Sequence, residues 1–208
     1  LVWEVPLISL VEALPPVTGA LVSSFLLAAI PEEAVKGLVV YWLVLRRRPV
    51  RNVQDGAFFG LVAGTGFALI ENFLYVGGAS TDADQLAFIR VVTSAPLHAA
   101  ATAMVAHGLV MARLAPQAEK RGHVVRGLAS AVALHGGSNA CLMLAVAVDT
   151  NVLMLGKPLL LFMGLAVAAN RLLDARKLDA TLLARAQRGS APLRRGTGPL
   201  RAPGTGKL

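Results

Sequence analysis

Long apolar runs are the feature of this sequence that most restricts its fold. Five runs are about 20 residues or longer, enough to cross about 30 Å of hydrocarbon, and they cover residues 17–45, 53–76, 86–114, 127–148 and 152–173. None of them shows the alternation of a membrane β-barrel, so the sequence predicts an all-α, polytopic transmembrane helical bundle. The 208-residue chain is 55% hydrophobic with a mean hydropathy of +0.63, which is unusual for a soluble domain of this size.

Both ends of the chain are predicted to lie outside this bundle. Residues 1–16 contain two glutamates and end in a Pro-Pro pair, so we expect an interfacial or truncated helix there. The transmembrane bundle then covers residues 17–178. Residues 179–208 are basic and rich in Gly and Pro, and they are predicted to form a disordered cytoplasmic tail. Because the sequence starts with Leu1 rather than Met, we expect a fragment or processed form.

Basic residues are concentrated in alternate connections between the runs. Segments 46–52 and 114–126 and the C-terminus carry Lys and Arg, whereas segments 77–85 and 149–151 carry none. The positive-inside rule therefore places the first group in the cytoplasm and the second outside. This distribution explains the net charge of +8 through membrane topology and anionic lipid headgroups rather than through nucleic acid. We expect a multi-pass protein of the cell membrane, with the lipid bilayer as a partner.

Charged side chains interrupt the first run near its middle. Glu32, Glu33 and Lys36 lie there, where a charge costs about 2.5–3.5 kcal/mol and persists mainly in a protein interior or a wet cavity. A structural ion pair with Lys36 is the alternative interpretation, but one pair leaves the second carboxylate without a partner. Pro31 is expected to break the helix and to place both glutamates in the first turn of a following half-helix, where the helix dipole favours a carboxylate.

Three further runs also carry ionisable or amide side chains. His135 and Asn139 are four residues apart and share one side of their helix, so both side chains can contact the same group. His107 lies nine residues after His98, about half a turn away, and we exclude it; His123 lies in a basic segment and is excluded too. A hydrogen bond between helices is the structural alternative for each candidate. The candidates are Glu71 and Asn72 in the second run, His98 in the third, and His135 and Asn139 in the fourth.

Glycines recur every four residues in the second run. Gly56, Gly60 and Gly64 form the small-residue stripe that lets membrane helices approach closely. Glu71 continues the same face, which predicts that it lies inside the bundle.

A water-accessible cluster of Glu, His and Asn side chains inside a membrane is suited to catalysing hydrolysis. A carboxylate acts as general base on water, a histidine assists, and a His/Asn pair stabilises the oxyanion. Cys141 has no basic partner in its own stretch, and neither a nucleophile elbow nor a His-Glu-x-x-His motif occurs. Two alternatives stay open. One is a zinc site with Glu71, His98 and His135 as ligands; the other is a non-enzymatic proton-coupled carrier or scaffold that uses the same side chains as a relay.

Four motifs in register carry a resemblance to a known family. They are Glu32-Glu33-Ala34-Val35-Lys36 (Glu-Glu-x-x-Lys), Phe67-Ala68-Leu69-Ile70-Glu71-Asn72 (Phe-x-x-x-Glu-Asn), Arg90 with Pro96-Leu97-His98-Ala99, and His135-Gly136-Gly137-Ser138-Asn139 (His-x-x-x-Asn/Asp). In this order and on successive runs, they resemble the PrsW-type intramembrane proteases, relatives of the CAAX-prenyl type II protease (ABI) superfamily.

The resemblance implies a bacterial membrane endopeptidase of glutamic type, once described as metal-dependent, that cleaves membrane-anchored proteins such as an anti-sigma factor from the outer side. Glu32 and Glu33 then hold the base position, with Glu32 preferred, and Glu71 stands where the wider superfamily has a histidine. Prenyl-protein processing is for this reason not expected. Lys36, Asn72 and Arg90 are supporting residues, no cofactor is expected with zinc as the alternative, and a catalytically silent relative that binds membrane partners stays open.

Overall fold

The structure, a computed structural model, describes residues 7–46, 52–79 and 81–189. Within them the chain is helical, with no strand. The α-helices are α1 (Ile8–Glu12), α2 (Pro16–Leu21), α3 (Ile30–Val40), α4 (Val53–Gly77), α5 (Ala83–Leu114), α6 (Gln117–Ala147) and α7 (Gly156–Gly189). Two π-helical stretches (Val22–Ala29 and Tyr41–Leu45) flank α3, and a 3-10 turn (Val152–Leu155) precedes α7.

Among the residues that the structure describes, five helices are long and apolar enough to cross a membrane, as the sequence predicts. They cover Pro16–Val40, Val53–Gly77, Ala83–Leu114, Gln117–Ala147 and Val152–Thr181. The protein is therefore a multi-span membrane protein with an all-α fold. The fourth helix begins ten residues earlier than predicted, at Gln117, directly after Pro116. The basic segment that follows the third span is thus mostly helical, because it consists largely of good helix formers such as Gln, Ala, Glu, Lys and Arg.

Pro31 does not break the first span, contrary to expectation. The backbone stays helical from Pro16 to Leu45, and a π-helical stretch replaces the regular hydrogen-bond ladder over Val22–Ala29. The wider turns accommodate the missing N–H and the ring of the proline without ending the helix. Glu32 and Glu33 do lie in the first turn of α3. Because this turn continues an existing helix, it does not offer a free helix end to a carboxylate.

The prediction of a disordered tail from residue 179 is wrong for its first eleven residues. Helix α7 continues to Gly189, since the sequence after Lys177 is rich in the helix formers Ala, Leu and Arg. Asp179 accepts hydrogen bonds from the backbone N–H groups of Val53 (3.0 Å) and Gln54 (3.1 Å). This part of α7 therefore caps α4. The rest of the predicted tail, residues 190–208, and residues 1–6 of the predicted N-terminal helix lie outside the described residues.

Helix α5 is the centre of the bundle. In its most apolar window 72% of the residues are buried, against 39% or less in the other four spans. Small residues on both sides allow this position. Gly60 and Gly64 of α4 face Ala103 and Ala99 of α5 so closely that a methyl group on either glycine would come within 2.8 Å of an α-carbon. The predicted glycine stripe thus holds α4 against α5, with His98 beside the contact.

Candidate active site

Lys36 lies at the centre of a buried polar cluster. Its ammonium nitrogen is 2.7 Å from Glu33 Oε1, 3.3 Å from Glu32 Oε2 and 2.7 Å from His98 Nδ1. The Phe67 ring covers it, with 4.1 Å between Nζ and the ring centroid. An ammonium group has three N–H donors and no acceptor, so all three are used and His98 Nδ1 accepts. The four side chains that meet at Nζ are thereby oriented by a single cation.

His98 of α5 connects Lys36 of α3 to Glu71 of α4. Since Nδ1 accepts from Lys36, the neutral imidazole carries its proton on Nε2, which lies 2.7 Å from Glu71 Oε2. The same carboxylate oxygen is 3.0 Å from a guanidinium nitrogen of Arg90, whose Nε donates to Asn72 Oδ1 at 2.8 Å. The chain of contacts from Lys36 through His98 to Glu71 and Arg90 is continuous, and it joins three membrane-spanning helices.

His135 of α6 approaches the two adjacent glutamates from the other side. Its Nδ1 is 2.9 Å from Glu33 Oε1, and its Nε2 is 3.8 Å from Glu32 Oε2. A carboxylate only accepts hydrogen bonds, so Nδ1 donates to Glu33. Glu33 Oε1 thus accepts from both Lys36 and His135, which packs edge-on against His98 with 4.7 Å between the ring centroids. Glu33 is fully buried, at 0% exposure, and its Oε1 connects Lys36 to His135.

A cavity of about 540 Å³ opens onto one side of this cluster. Glu32, Glu71, His98 and Asn139 are in its wall, whereas Glu33 is not. The wall also contains two cations, Arg90 and Lys157. Its apolar side chains are those of Val11, Leu27, Ala28, Leu97, Leu142 and Met143. Of the two adjacent glutamates, Glu32 is therefore the one that can meet a molecule in the cavity.

The structure brings all the predicted site residues to one region of the bundle. Asn139 is half-buried in the cavity wall, one turn after His135. The excluded His107 and His123 lie in a separate small pocket between α5 and α6. Sequence reasoning missed Lys157, although a lysine inside the predicted fifth span was a usable signal. It also missed Tyr75, whose ring lies 3.8 Å from the Arg90 guanidinium.

Comparison with known proteins agrees with the four motifs. The model of a family described as PrsW family intramembrane metalloprotease matches residues 1–169. The chain belongs to this PrsW family. Over 76 residues it is 33% identical to "Protease PrsW" of Clostridioides difficile (strain 630), a match that covers 36% of this chain and 32% of that protein. The match thus spans about a third of the curated relative's length. No solved structure matches the chain.

The PrsW family description names a metalloprotease, and the buried cluster contains a donor set that fits a metal ion. One ligand atom each from Glu32, His98 and His135 lies within 4.8 Å of the others, and two histidines with one glutamate are a known catalytic zinc set. Of the ligands predicted for zinc, His98 and His135 belong to this group. Glu32 takes the place given to Glu71, whose Oε2 is already engaged by His98 and Arg90.

The Lys36 ammonium occupies the space beside the same donors. It contacts Glu32 and His98, two of the three side chains in the metal-binding group. An ammonium and a divalent cation at these atoms would repel each other strongly. The donor set therefore fits a metal ion only if Lys36 moves away from it.

Proposed function

We propose that the protein is an intramembrane endopeptidase that hydrolyses peptide bonds of membrane-anchored proteins, with Glu32 as the general base. One observation carries this proposal. Glu32, Glu71, His98 and Asn139, from four membrane-spanning helices, share the wall of one 540 Å³ cavity. Membrane carboxylates and imidazoles that converge on a cavity are rarely there for packing alone, and this set supplies a base, an acid and an amide donor.

In the proposed reaction, Glu32 takes a proton from water while the water oxygen attacks the carbonyl carbon of the scissile bond. The carbon–nitrogen bond then breaks, and the proton held by Glu32 passes to the leaving amine. Lys36, at 3.3 Å from Glu32 Oε2, donates to the carboxylate and orients it between turnovers. The His98–Glu71 pair lies on the neighbouring part of the cavity wall and assists the proton transfers.

Asn139 and His135 are proposed to stabilise the oxyanion. The amide of Asn139 is a donor in the cavity wall. His135 donates from Nδ1 to Glu33, and its Nε2 lies 3.8 Å from Glu32 Oε2, so it acts from beside the general base.

A metal-dependent form of the same activity is the second candidate, because the cluster contains the Glu32, His98 and His135 donor set. An ion held there would polarise the peptide carbonyl and activate water as a Lewis acid. In this form Glu33 holds His135, Glu71 holds His98, and Lys36 has to leave its position.

The membrane orientation is proposed from the basic segments. With segments 46–52 and 114–126 and the C-terminus in the cytoplasm, the cavity lies in the outer half of the bilayer, because it contains the C-terminal part of α4 and the N-terminal part of α5. The substrates are accordingly proteins with a membrane anchor that are cut near or within the outer leaflet, as an anti-sigma factor would be in site-1 cleavage.

A reconstituted assay tests this function. The protein is placed in liposomes with single-span reporter proteins, and new termini are identified by mass spectrometry. Cleavage should fall sharply in Glu71→Gln, His98→Ala and Asn139→Ala, and should persist in Glu119→Gln, an exposed residue of α6. Proton flux across the liposomes without any proteolysis would overturn the proposal in favour of a carrier. Cleavage that survives exhaustive chelation, with no metal by elemental analysis, would discard the metal-dependent form.

A further inference from the structure

Lys157 lines the same cavity as the reactive cluster. It is the second residue of α7, close enough to Arg90 and Glu71 to interact with them electrostatically. The Arg90 guanidinium is 3.0 Å from Glu71 Oε2, the same oxygen that His98 Nε2 approaches. Both cations of the wall, Arg90 and Lys157, therefore lie on the Glu71 side of the cavity.

The two cations differ in what they contact. Arg90 is held by Glu71 (3.0 Å), by Asn72 (2.8 Å) and by the Tyr75 ring. Lys157 is half-buried and forms no hydrogen bond or ion pair with any residue that the structure describes. Glu12 also lines the cavity, but it lies on the exposed helix α1 and does not pair with Lys157. In a membrane-spanning region an unpaired ammonium group is costly, so its position favours an anionic ligand.

We infer that Lys157 binds an acidic side chain of the substrate and thereby selects where the substrate is cut. This inference rests on the proposed function and names the substrate class for the same cavity. The cavity wall is built from several helices and contains the reactive groups, which favours a peptide over a lipid headgroup. Lys157 begins α7 directly after segment 149–151, which the proposed topology places outside, so the Asp or Glu lies on the outer side of the scissile bond.

Binding is measured first, because it does not depend on turnover. The probe is a synthetic peptide with a Leu/Ala transmembrane segment, a flexible Gly/Ser region at its outer end and one Glu, moved one residue at a time. A matched peptide carries Gln. With the Glu32→Gln protein in nanodiscs, the Glu peptide should bind about tenfold more tightly than the Gln peptide at its best position. Adding Lys157→Gln should remove this difference, and adding Lys177→Gln, an exposed residue of the same helix, should not.

Cleavage of reporter proteins is the second measurement. Lys157→Glu should reverse the preference, so that a reporter with Lys in place of the acidic residue becomes the better substrate. In Lys157→Gln, the ratio of the cleavage rates of the acidic and the neutral reporter should fall to about one. Cleavage or binding that ignores the acidic residue in the wild type would overturn the inference while leaving the proposed function intact. Binding that follows phosphatidylglycerol content rather than the peptide charge would also overturn it, in favour of a lipid phosphate.

Failure of the proposed function has a different result. The acidic peptide would still bind through Lys157, but no reporter, acidic or neutral, would be cleaved. The two measurements therefore separate the role of Lys157 from the identity of the reaction.

Discussion

The ammonium nitrogen of Lys36 lies 2.7 Å from Nδ1 of His98, 62 residues further along the chain. This contact joins the two adjacent glutamates of α3 to the His98–Glu71 pair. It also fixes the His98 tautomer, because the ammonium can only donate. The same contact places a cation beside the donor atoms that a metal ion would use. Lys36 therefore determines both the stability of the buried cluster and its capacity for metal.

Removing the charge of Lys36 should destabilise the protein strongly. Lys36→Met leaves Glu32 and Glu33 buried without their shared cation, a change that costs about 3–5 kcal/mol in comparable buried pairs. Thermal unfolding in detergent measures the effect. The control is Lys177→Met, which removes an exposed pair with Asp174 at 3.9 Å and should cost about 0–1 kcal/mol. Equal melting temperatures for the two variants would contradict the central position of Lys36.

Metal affinity should rise when Lys36 loses its charge. In Lys36→Gln, no ammonium competes with a divalent ion for Glu32 and His98, so we expect affinity for Co²⁺ or Zn²⁺ to increase by about tenfold or more. Titration with Co²⁺, followed by its absorption spectrum, measures this directly and needs no proteolysis. Lys177→Gln serves as the control. Unchanged affinity in Lys36→Gln would mean that the ammonium does not compete for these donors.

A matched pair of glycine substitutions in α4 tests how the bundle positions His98. An alanine at Gly64 would place a methyl group 2.8 Å from both Ala99 Cα and Thr102 Oγ1 of α5, whereas Gly66 has nothing within 4 Å. Overpacking of this kind costs about 1–3 kcal/mol. We expect Gly64→Ala to lower both the unfolding temperature and the cleavage rate. Gly66→Ala should be neutral or stabilising, by up to about 1 kcal/mol from helix propensity. Equal behaviour of the two variants would contradict the close contact between α4 and α5.

The cap that α7 provides for α4 gives a further prediction. Asp179→Ala removes acceptors from the backbone N–H groups of Val53 and Gln54 and should cost about 0.5–2 kcal/mol. Asp174→Ala, five residues earlier and exposed, should change the stability much less. Hydrogen exchange of the first turn of α4 reports the loss locally. Protection in that turn that is unchanged by Asp179→Ala would contradict the cap.

Much of the site was predictable because charged residues stand out in apolar runs. The five spans and the convergence of Glu32, Glu71, His98 and His135 follow from that contrast. The sequence could not tell which of Glu32 and Glu33 faces the cavity. Adjacent helical residues differ by about 100°, and the direction is set by how α3 packs against α5 and α6, which carry His98 and His135.

Other features depended on tertiary contacts that no local pattern shows. The helical continuation of α7 past residue 178 is supported by the bonds of Asp179 to α4, and it lies in a segment whose charge resembles a tail. Lys157 lies inside the predicted fifth span, but its place in the cavity wall depends on how α7 packs beside α5. The effect of Pro31 depended on the π-helical stretch before it.

The most direct test compares Glu32→Gln with Glu33→Gln in single-turnover cleavage of a single-span reporter, with folding of both variants verified by thermal unfolding. Loss of the general base should slow Glu32→Gln by about 10²–10⁴-fold or more without a large change in reporter binding. Glu33→Gln, which perturbs the orientation of His135 and Lys36, should keep measurable activity and lose more stability. Cleavage by folded Glu32→Gln at the wild-type rate would contradict the assignment of Glu32 as the residue that activates water.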